Sequence, residues 1–138
     1  MKYNMNALRI LLIEDDEIEV LKFNRALKKL GQKHEVIPAK NGEEALQIIN
    51  EDAPELIFLD LNMPKMSGLE FLKVLKDDDK MKFIPVMILS TSRNLNDVLE
   101  SYRLGIAGYI TKPLHFDEYV TKIEHILNYW LSNELIRL

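Results

Sequence analysis

The 138-residue sequence predicts an α/β domain, with a doubly wound, five-stranded parallel sheet and five helices. Short, nearly continuous apolar runs cover residues 8–13, 56–59, 86–89 and 108–111. Such runs are typical of strands buried on both faces of a parallel sheet. Between them, apolar residues recur at spacings of three and four, as in amphipathic helices. The alternation of the two patterns indicates repeated βα units.

The first half of the chain contains three strands and two helices. After the strand at 8–13, a helix is expected up to Gly31, a residue type that commonly ends helices. Residues 35–39 form a short strand, and Pro38 places it at a sheet edge because proline cannot donate to the ladder. A helix over residues 45–49 is expected to end at Pro54, before the strand at 56–59.

The second half of the chain continues the alternation of strands and helices. A loop over residues 62–68 precedes a third helix, which ends in the charged stretch 76–80. The strand at 86–89 leads into a fourth helix that Gly105 closes, and the last strand covers residues 107–111. The apolar stripe of the long fifth helix is Phe116, Val120, Ile123, Leu127 and Trp130. Right-handed crossovers and the edge position of the second strand favour the strand order 2-1-3-4-5.

Composition limits the class of protein. The length suits one domain, which we place at residues 7–131, with residues 132–138 as a short extension of the last helix. A net charge of -4 argues against nucleic acid as a partner, and the lack of cysteine excludes disulfides and thiolate metal sites. Residues 1–6 and the run after them are too short for a signal peptide, and no run could span a membrane. We therefore expect a cytoplasmic protein.

Polar side chains follow the apolar runs. They are Glu14, Asp15, Asp60, Ser90 and Lys112. Because parallel strands place their carboxyl ends at one edge of the sheet, we expect these groups to form one site. Crowded carboxylates with only oxygen ligands favour a hard cation, Mg²⁺. A lysine beside it suits phosphate, and a central carboxylate could then serve as the nucleophile that forms an acyl phosphate.

Four motifs in this order resemble the receiver domain of two-component response regulators. They are residues 12–16 (LIEDD), 59–68 (LDLNMPKMSG), 89–92 (LSTS) and 108–113 (GYITKP). The resemblance covers roughly residues 7–130 and implies a flavodoxin-like receiver fold. It implies a phosphoacceptor with self-catalysed phosphoryl transfer and autodephosphorylation, rather than a classical enzyme.

The resemblance also assigns roles to individual residues. Asp60 is the phosphoacceptor for a phosphohistidine on a sensor histidine kinase, and Lys112 contacts the phosphoryl oxygens. Asp15, Asp60 and the backbone carbonyl of Asn62 are the implied Mg²⁺ ligands, with Glu14 as the second member of the acidic pair.

Switching and tuning roles follow from the same resemblance. Ser90 is the switch hydroxyl and Tyr109 is the switch aromatic. When Ser90 moves to the phosphoryl group, the Tyr109 ring turns inward, and this movement alters the surface formed by the fourth helix, fifth strand and fifth helix. Asn62 and Ser92 are expected to tune autodephosphorylation. Relatives generally have a cis peptide before the matching proline, so we expect a cis bond before Pro113.

A narrower resemblance links the chain to single-domain regulators that partner bacterial phytochromes. It rests on matches within residues 90–102, on the loop at 77–83 and on residues 129–131 (YWL). It implies a homodimer through the fourth and fifth helices, involving Tyr102, Tyr119 and Trp130. The alternative is that Trp130 caps the core and the tail frays.

Other functions remain open. A phosphorelay shuttle would pass the phosphoryl group to a histidine phosphotransfer protein. An aspartyl-phosphate phosphohydrolase would need a second acid two residues after Asp60, where Asn62 stands. A flavodoxin-like cofactor carrier would need a phosphate-binding loop where residues 14–16 are acidic.

Overall fold

The computed structural model describes residues 7–63 and 65–138. Residues 1–6, on which the expectation about a signal peptide rests, lie outside the described residues. The same holds for residue 64, the proline of the second motif. Within the described residues, five strands and five α-helices alternate. They are β1 (Arg9–Ile13), α1 (Glu17–Leu30), β2 (Glu35–Ala39), α2 (Gly42–Glu51), β3 (Leu56–Leu59), α3 (Gly68–Lys76), β4 (Val86–Ser90), α4 (Leu95–Arg103), β5 (Gly108–Thr111) and α5 (Phe116–Leu131).

The strands form one parallel sheet in the order β2-β1-β3-β4-β5. The predicted fold and strand order are therefore confirmed. Pro38 lies in the edge strand β2 opposite Leu12 of β1, where its missing N–H costs no ladder hydrogen bond on the open side. The order places the carboxyl ends of β1, β3 and β4 next to one another at the centre of the sheet.

Helices cover both faces of the sheet because successive residues of each strand point to opposite sides. Ile10 and Leu12 of β1 belong to a core that includes α1 and α5, whereas Leu11 and Ile13 belong to a core that includes α2 and α3. These strand residues are at most 5% exposed. The two buried layers hold the strand ends in fixed positions, which is what a multi-strand site requires.

Several element boundaries differ from the predictions, and one short element was not predicted. Helix α2 ends at Glu51, with Asp52 already extended, so the turn toward β3 begins before Pro54. A short 3₁₀ turn at Met81–Phe83, which the sequence pattern did not reveal, joins the charged loop to β4. Strand β5 begins at Gly108, one residue later than expected.

The C-terminal tail corrects another expectation. Helix α5 ends at Leu131 with Ser132 at its C-cap, so residues 132–138 do not extend the helix. Instead, Leu135 packs against the core shared by α1 and α5, and Arg137 Nε lies 2.6 Å from Glu55 Oε2. These contacts hold the tail against the domain, because they bury an apolar side chain and pair a largely buried carboxylate. In the described part of the chain, no helix has the length and apolar character needed to cross a membrane.

Candidate functional site

The end of β1 supplies two carboxylates, Glu14 and Asp15. The backbone N–H of Glu14 donates to the carbonyl of Ala39 at 2.9 Å, which fixes the residue beside β2. The third acid, Asp16, has a different task, because its side chain accepts from Ile18 N at 2.9 Å and caps α1. Glu14 is buried at the sheet edge, whereas Asp15 is exposed.

The end of β3 supplies Asp60, whose backbone N–H donates to the Ile13 carbonyl at 3.0 Å. Helix α3 approaches this turn closely through Gly68. A Cβ at Gly68 would lie 2.7 Å from both the Asp60 carbonyl oxygen and Leu61 Cα. A glycine is therefore required by the backbone contact. The sequence motif contained Gly68, but its role in holding the Asp60 turn appeared only in the structure.

Glu14, Asp15 and Asp60 converge at this edge. One carboxylate oxygen from each lies within 4.8 Å of the other two. Burial raises the pKa of Asp60, and the nearby charge of Asp15 adds to the rise. The charge of Lys112 and hydrogen bonds from the Asn62 and Leu61 backbone act in the opposite direction but do not cancel it. Burial also raises the pKa of Glu14 despite its hydrogen bond to Lys112.

The ligand set fits the expected cation. Three carboxylates within reach of one another are hard oxygen donors, and among the described residues this group contains no sulfur or imidazole ligand. A divalent cation would relieve their mutual repulsion. The side chain of Asn62 is exposed, and its expected ligand is the backbone carbonyl. That assignment stays a prediction.

Lys112 follows β5 and reaches into the cluster. Its backbone N–H donates to the Ser90 carbonyl at 2.8 Å, and its Nζ lies 2.9 Å from Glu14 Oε1 and 3.1 Å from Glu19 Oε1. Burial acts to lower the pKa of Lys112, but the hydrogen bond to Glu14 and the charges of Glu14, Glu19 and Asp60 together raise it. The amine is therefore held as a cation although its side chain is only 9% exposed.

Glu19 was missed by the sequence reasoning. It lies in the first turn of α1, outside all four motifs, and acidic residues are common there because they favour the helix N-terminus. No local signal separates it from its exposed neighbour Glu17.

The Lys112–Pro113 peptide corrects the expectation of a cis bond. The described residues contain no cis peptide, so this bond is trans. Trans is the ordinary isomer, favoured by about 0.5–1 kcal/mol before proline.

Ser90 and Tyr109 are linked through one residue. Ser90 is fully buried, and its Oγ accepts from the Ser92 N–H at 3.2 Å. The Tyr109 hydroxyl donates to the Ser92 carbonyl at 2.9 Å. The Ser92 hydroxyl itself donates to Asp97 Oδ2 at 2.9 Å, at the start of α4. The structure thus brings the expected switch pair to one loop, with the peptide groups of Ser92 between them.

Comparison with known proteins agrees with this geometry. The family described as response regulator receiver domain matches residues 10–124, which is most of the chain. The chain belongs to this family. The four motifs and the strand order are therefore those of a receiver domain, and the resemblance inferred from the sequence is confirmed.

This receiver domain is similar to several known response regulators, one of which is described as a phytochrome response regulator. It is 35% identical over 130 residues to the response regulator Rcp1 of Synechocystis, covering 89% of this chain and 88% of Rcp1. It is similar in structure to the phosphorylated cyanobacterial phytochrome response regulator RcpA, with a TM-score of 0.87, 35% identity and coverage of 94% and 98% of the two chains. The Mn²⁺-bound form of Rcp1 gives a TM-score of 0.84 at 32% identity, with coverage of 95% and 99%.

The three residues expected at a dimer surface of the receiver domain differ in their exposure to solvent. Tyr102 on α4 is 51% exposed, and Trp130 on α5 is partly buried against the core. Tyr119 is only 1% exposed, so its assignment to a surface is wrong. Its ring stacks on Phe116 and lies beneath Lys22 of α1. The helical spacing did not reveal that α1 covers this side of α5.

Proposed function

We propose that this receiver domain accepts a phosphoryl group on Asp60 from the phosphohistidine of a sensor histidine kinase. One observation carries the proposal: three carboxylates and a largely buried lysine converge at the carboxyl edge of the sheet. A carboxylate oxygen of Asp60 attacks phosphorus, the O–P bond forms and the N–P bond to histidine breaks. The chain acts by positioning and by charge neutralisation, as in other phosphoryl transfers.

Asp15, Asp60 and the Asn62 carbonyl would hold the cation, and Glu14 would contribute through water. Bound Mg²⁺ would neutralise negative charge on the phosphoryl oxygens. The Mn²⁺-bound structure of Rcp1 supports a divalent cation in this family. Lys112 would supply a compact positive charge to the phosphoryl oxygens.

The phosphoryl group would act on the Ser90–Ser92–Tyr109 connection. It adds a charge of about -1.5 to -2 and three acceptor oxygens. If Ser90 Oγ turns toward it, the Ser92 N–H loses its acceptor, and the loop carrying the Tyr109 acceptor must readjust. Asn62 and Ser92 would set the rate of autodephosphorylation. The resulting change biases the surface of α4, β5 and α5 between two states.

We infer that this surface pairs with a second copy. β5 is an edge strand with partly exposed residues, and α4 beside it exposes an apolar stripe. Its exposed apolar side chains are Leu95, Leu99 and Tyr102. Trp130 and the exposed Tyr129 continue apolar character on α5.

The upstream partner we infer is a histidine kinase of phytochrome type, by analogy with the name of RcpA. ATP supplies the phosphoryl group of such kinases, so we infer a cytoplasmic location. The acidic net charge of -4 supports a protein partner rather than nucleic acid.

The phosphoacceptor is tested with acetyl phosphate and Mg²⁺, followed by intact-protein mass measurement. The wild type should gain one phosphoryl group, and Asp60→Asn or removal of Mg²⁺ should abolish the gain. Asp79→Asn is the matched control, since the Asp79 side chain is fully exposed in the loop after α3. Undiminished labelling of Asp60→Asn would refute the assignment.

The assembly is tested by analytical ultracentrifugation with and without beryllofluoride. Tyr102→Glu should shift the protein toward monomer, because it places a charge in the proposed contact. Val74→Glu changes an exposed apolar residue of α3 and should leave the assembly unchanged. A wild type that stays monomeric at tens of micromolar under both conditions contradicts the proposed dimer.

A further inference from the structure

The Lys112 ammonium has two carboxylate partners, of which only Glu14 belongs to the receiver motifs. We propose that Glu19 is a positioning residue that holds Lys112 in the resting state and competes with a phosphoryl group on Asp60 for its charge. Glu19 would thereby lower the affinity of the site for phosphoryl oxygens. The inference rests on the proposed function and names a regulator of that same site.

The two contacts of Lys112 differ in kind. Its contact with Glu14 is a hydrogen bond of 2.9 Å between largely buried side chains. Glu19 Oε1 is also buried, yet within the described part of the chain it has no partner of hydrogen-bond geometry, so its 3.1 Å contact with Nζ is an ion pair. Such a contact can be exchanged for another anion without the loss of a directed hydrogen bond.

The competition follows from the shape of the lysine group. An ammonium is a compact charge with three N–H donors on a flexible stem. A phosphoryl group on Asp60 offers about two negative charges and three acceptors. When Lys112 turns toward it, the Glu19 carboxylate loses the cation nearest to its buried oxygen. That loss opposes phosphoryl binding and favours the resting state.

Glu19→Gln tests the competition, with beryllofluoride as the phosphoryl probe at saturating Mg²⁺. The affinity for beryllofluoride should rise about two- to fivefold, the range expected for a partly exposed ion pair. Glu19→Asp keeps the charge and should return most of the way to the wild-type value. Glu17→Gln removes an exposed acid from the same helical turn and should have no effect. An unchanged affinity in Glu19→Gln overturns the proposal.

A double-variant cycle shows whether Glu19 acts through the lysine. In a Lys112→Met background, Glu19→Gln should give little further change in beryllofluoride affinity. A gain as large as in the wild-type background would mean that Glu19 acts only as a general negative charge, and the positioning role would be wrong.

The resting contact is tested without metal or phosphoryl probe. The side-chain ammonium signal of ¹⁵N-labelled Lys112, recorded in EDTA, should be protected from exchange in the wild type and in Glu17→Gln. It should broaden or shift in Glu19→Gln. An unchanged signal contradicts the inference even if Asp60 is phosphorylated, whereas labelling of Asp60→Asn by acetyl phosphate would contradict the proposed function alone.

Discussion

The hydroxyl of Tyr109 donates a hydrogen bond to the backbone carbonyl of Ser92 at 2.9 Å. Ser92 in turn donates its N–H to the hydroxyl of buried Ser90. The edge strand β5 is thus tied to the end of β4 by hydrogen bonds that pass through one residue, Ser92. A movement at either end changes the hydrogen bonding at the other.

Tyr109→Phe removes one end of this chain. We expect a loss of about 0.5–1.5 kcal/mol in the free energy of unfolding, the usual net value of one hydrogen bond. Phosphorylation of Asp60 should persist, whereas the structural response to beryllofluoride at α4 should weaken. Urea denaturation and amide NMR shifts measure the two effects. Tyr102→Phe, which alters an exposed ring, is the control, and an equal effect there would contradict the role of the Ser92 contact.

Asp60→Asn should stabilise the metal-free protein at pH 7. Because burial raises the pKa of Asp60, ionisation of this group costs stability as pH rises through its folded pKa. The neutral asparagine avoids that cost. The stability advantage of Asp60→Asn over the wild type should therefore shrink as pH falls toward 3.8, the ordinary pKa of aspartate. Urea midpoints in EDTA between pH 4 and 7 measure it. An Asp60→Asn protein no more stable than wild type at pH 7 would contradict the electrostatic account.

Gly68→Ala should disturb the turn that carries Asp60. Its Cβ would meet backbone atoms at 2.7 Å, so the backbone must shift, with a cost of about 1–3 kcal/mol and slower labelling by acetyl phosphate. Gly42→Ala is the comparison variant, since Gly42 is also the first residue of a helix, but a Cβ there would meet only side-chain atoms among its three nearest contacts, namely Cβ, Cγ and Sδ of Met66 at 2.7–2.9 Å. We expect Gly42→Ala to lose less stability than Gly68→Ala. Equal losses in thermal or urea unfolding would show that the Asp60 turn has no special constraint.

His34 should make stability depend on pH. Its Nδ1 accepts from the Leu8 N–H at 2.8 Å, so the ring is neutral, with the proton on Nε2 facing Gln32 Oε1 at 2.7 Å. Burial lowers the pKa of His34. The stability that this ring contributes is therefore fully present above the ordinary value of 6.5 and is lost as pH falls through the folded pKa.

His34→Gln tests this dependence. The variant should lose about 1 kcal/mol at pH 7.5, the scale of one net hydrogen bond, and show a smaller decline between pH 7.5 and 5 than wild type. His125→Gln, at an exposed position of α5, should follow the wild-type profile. If His34→Gln and wild type run parallel in urea midpoints across this range, the ring does not titrate as inferred.

Arg137→Gln should loosen the tail. Glu55 is 10% exposed and accepts from the Arg9 N–H at 2.8 Å, while its other oxygen faces Arg137. Removal of the guanidinium leaves that charge poorly compensated and should cost about 1–3 kcal/mol. Arg93→Gln, at an exposed position of the β4–α4 loop, should be close to neutral. Faster amide exchange at residues 132–138 in Arg137→Gln would report the release of the tail directly.

The sequence by itself determined the alternation of strands and helices, the edge position of β2 and the edge of the sheet at which the site forms. These follow from local rules: the period of the apolar residues, the missing N–H of Pro38 and the shared direction of parallel strands. Asp60 and Lys112 could be placed at one site because each stands directly after a strand.

Only the tertiary structure decided which side chains meet across elements. Lys112 and Glu19 lie 93 positions apart, and their 3.1 Å contact depends on how α1 seats against the end of β5. The packing of α1 against α5 buries Tyr119, which the resemblance to phytochrome-type regulators had placed at a dimer surface. The pair of Glu55 and Arg137 and the packing of Leu135 hold the tail against the domain, and no periodic pattern in the sequence predicted either contact. The period of the apolar residues predicts which face of each helix is buried, but only the packed structure shows which residues of other elements that face contacts.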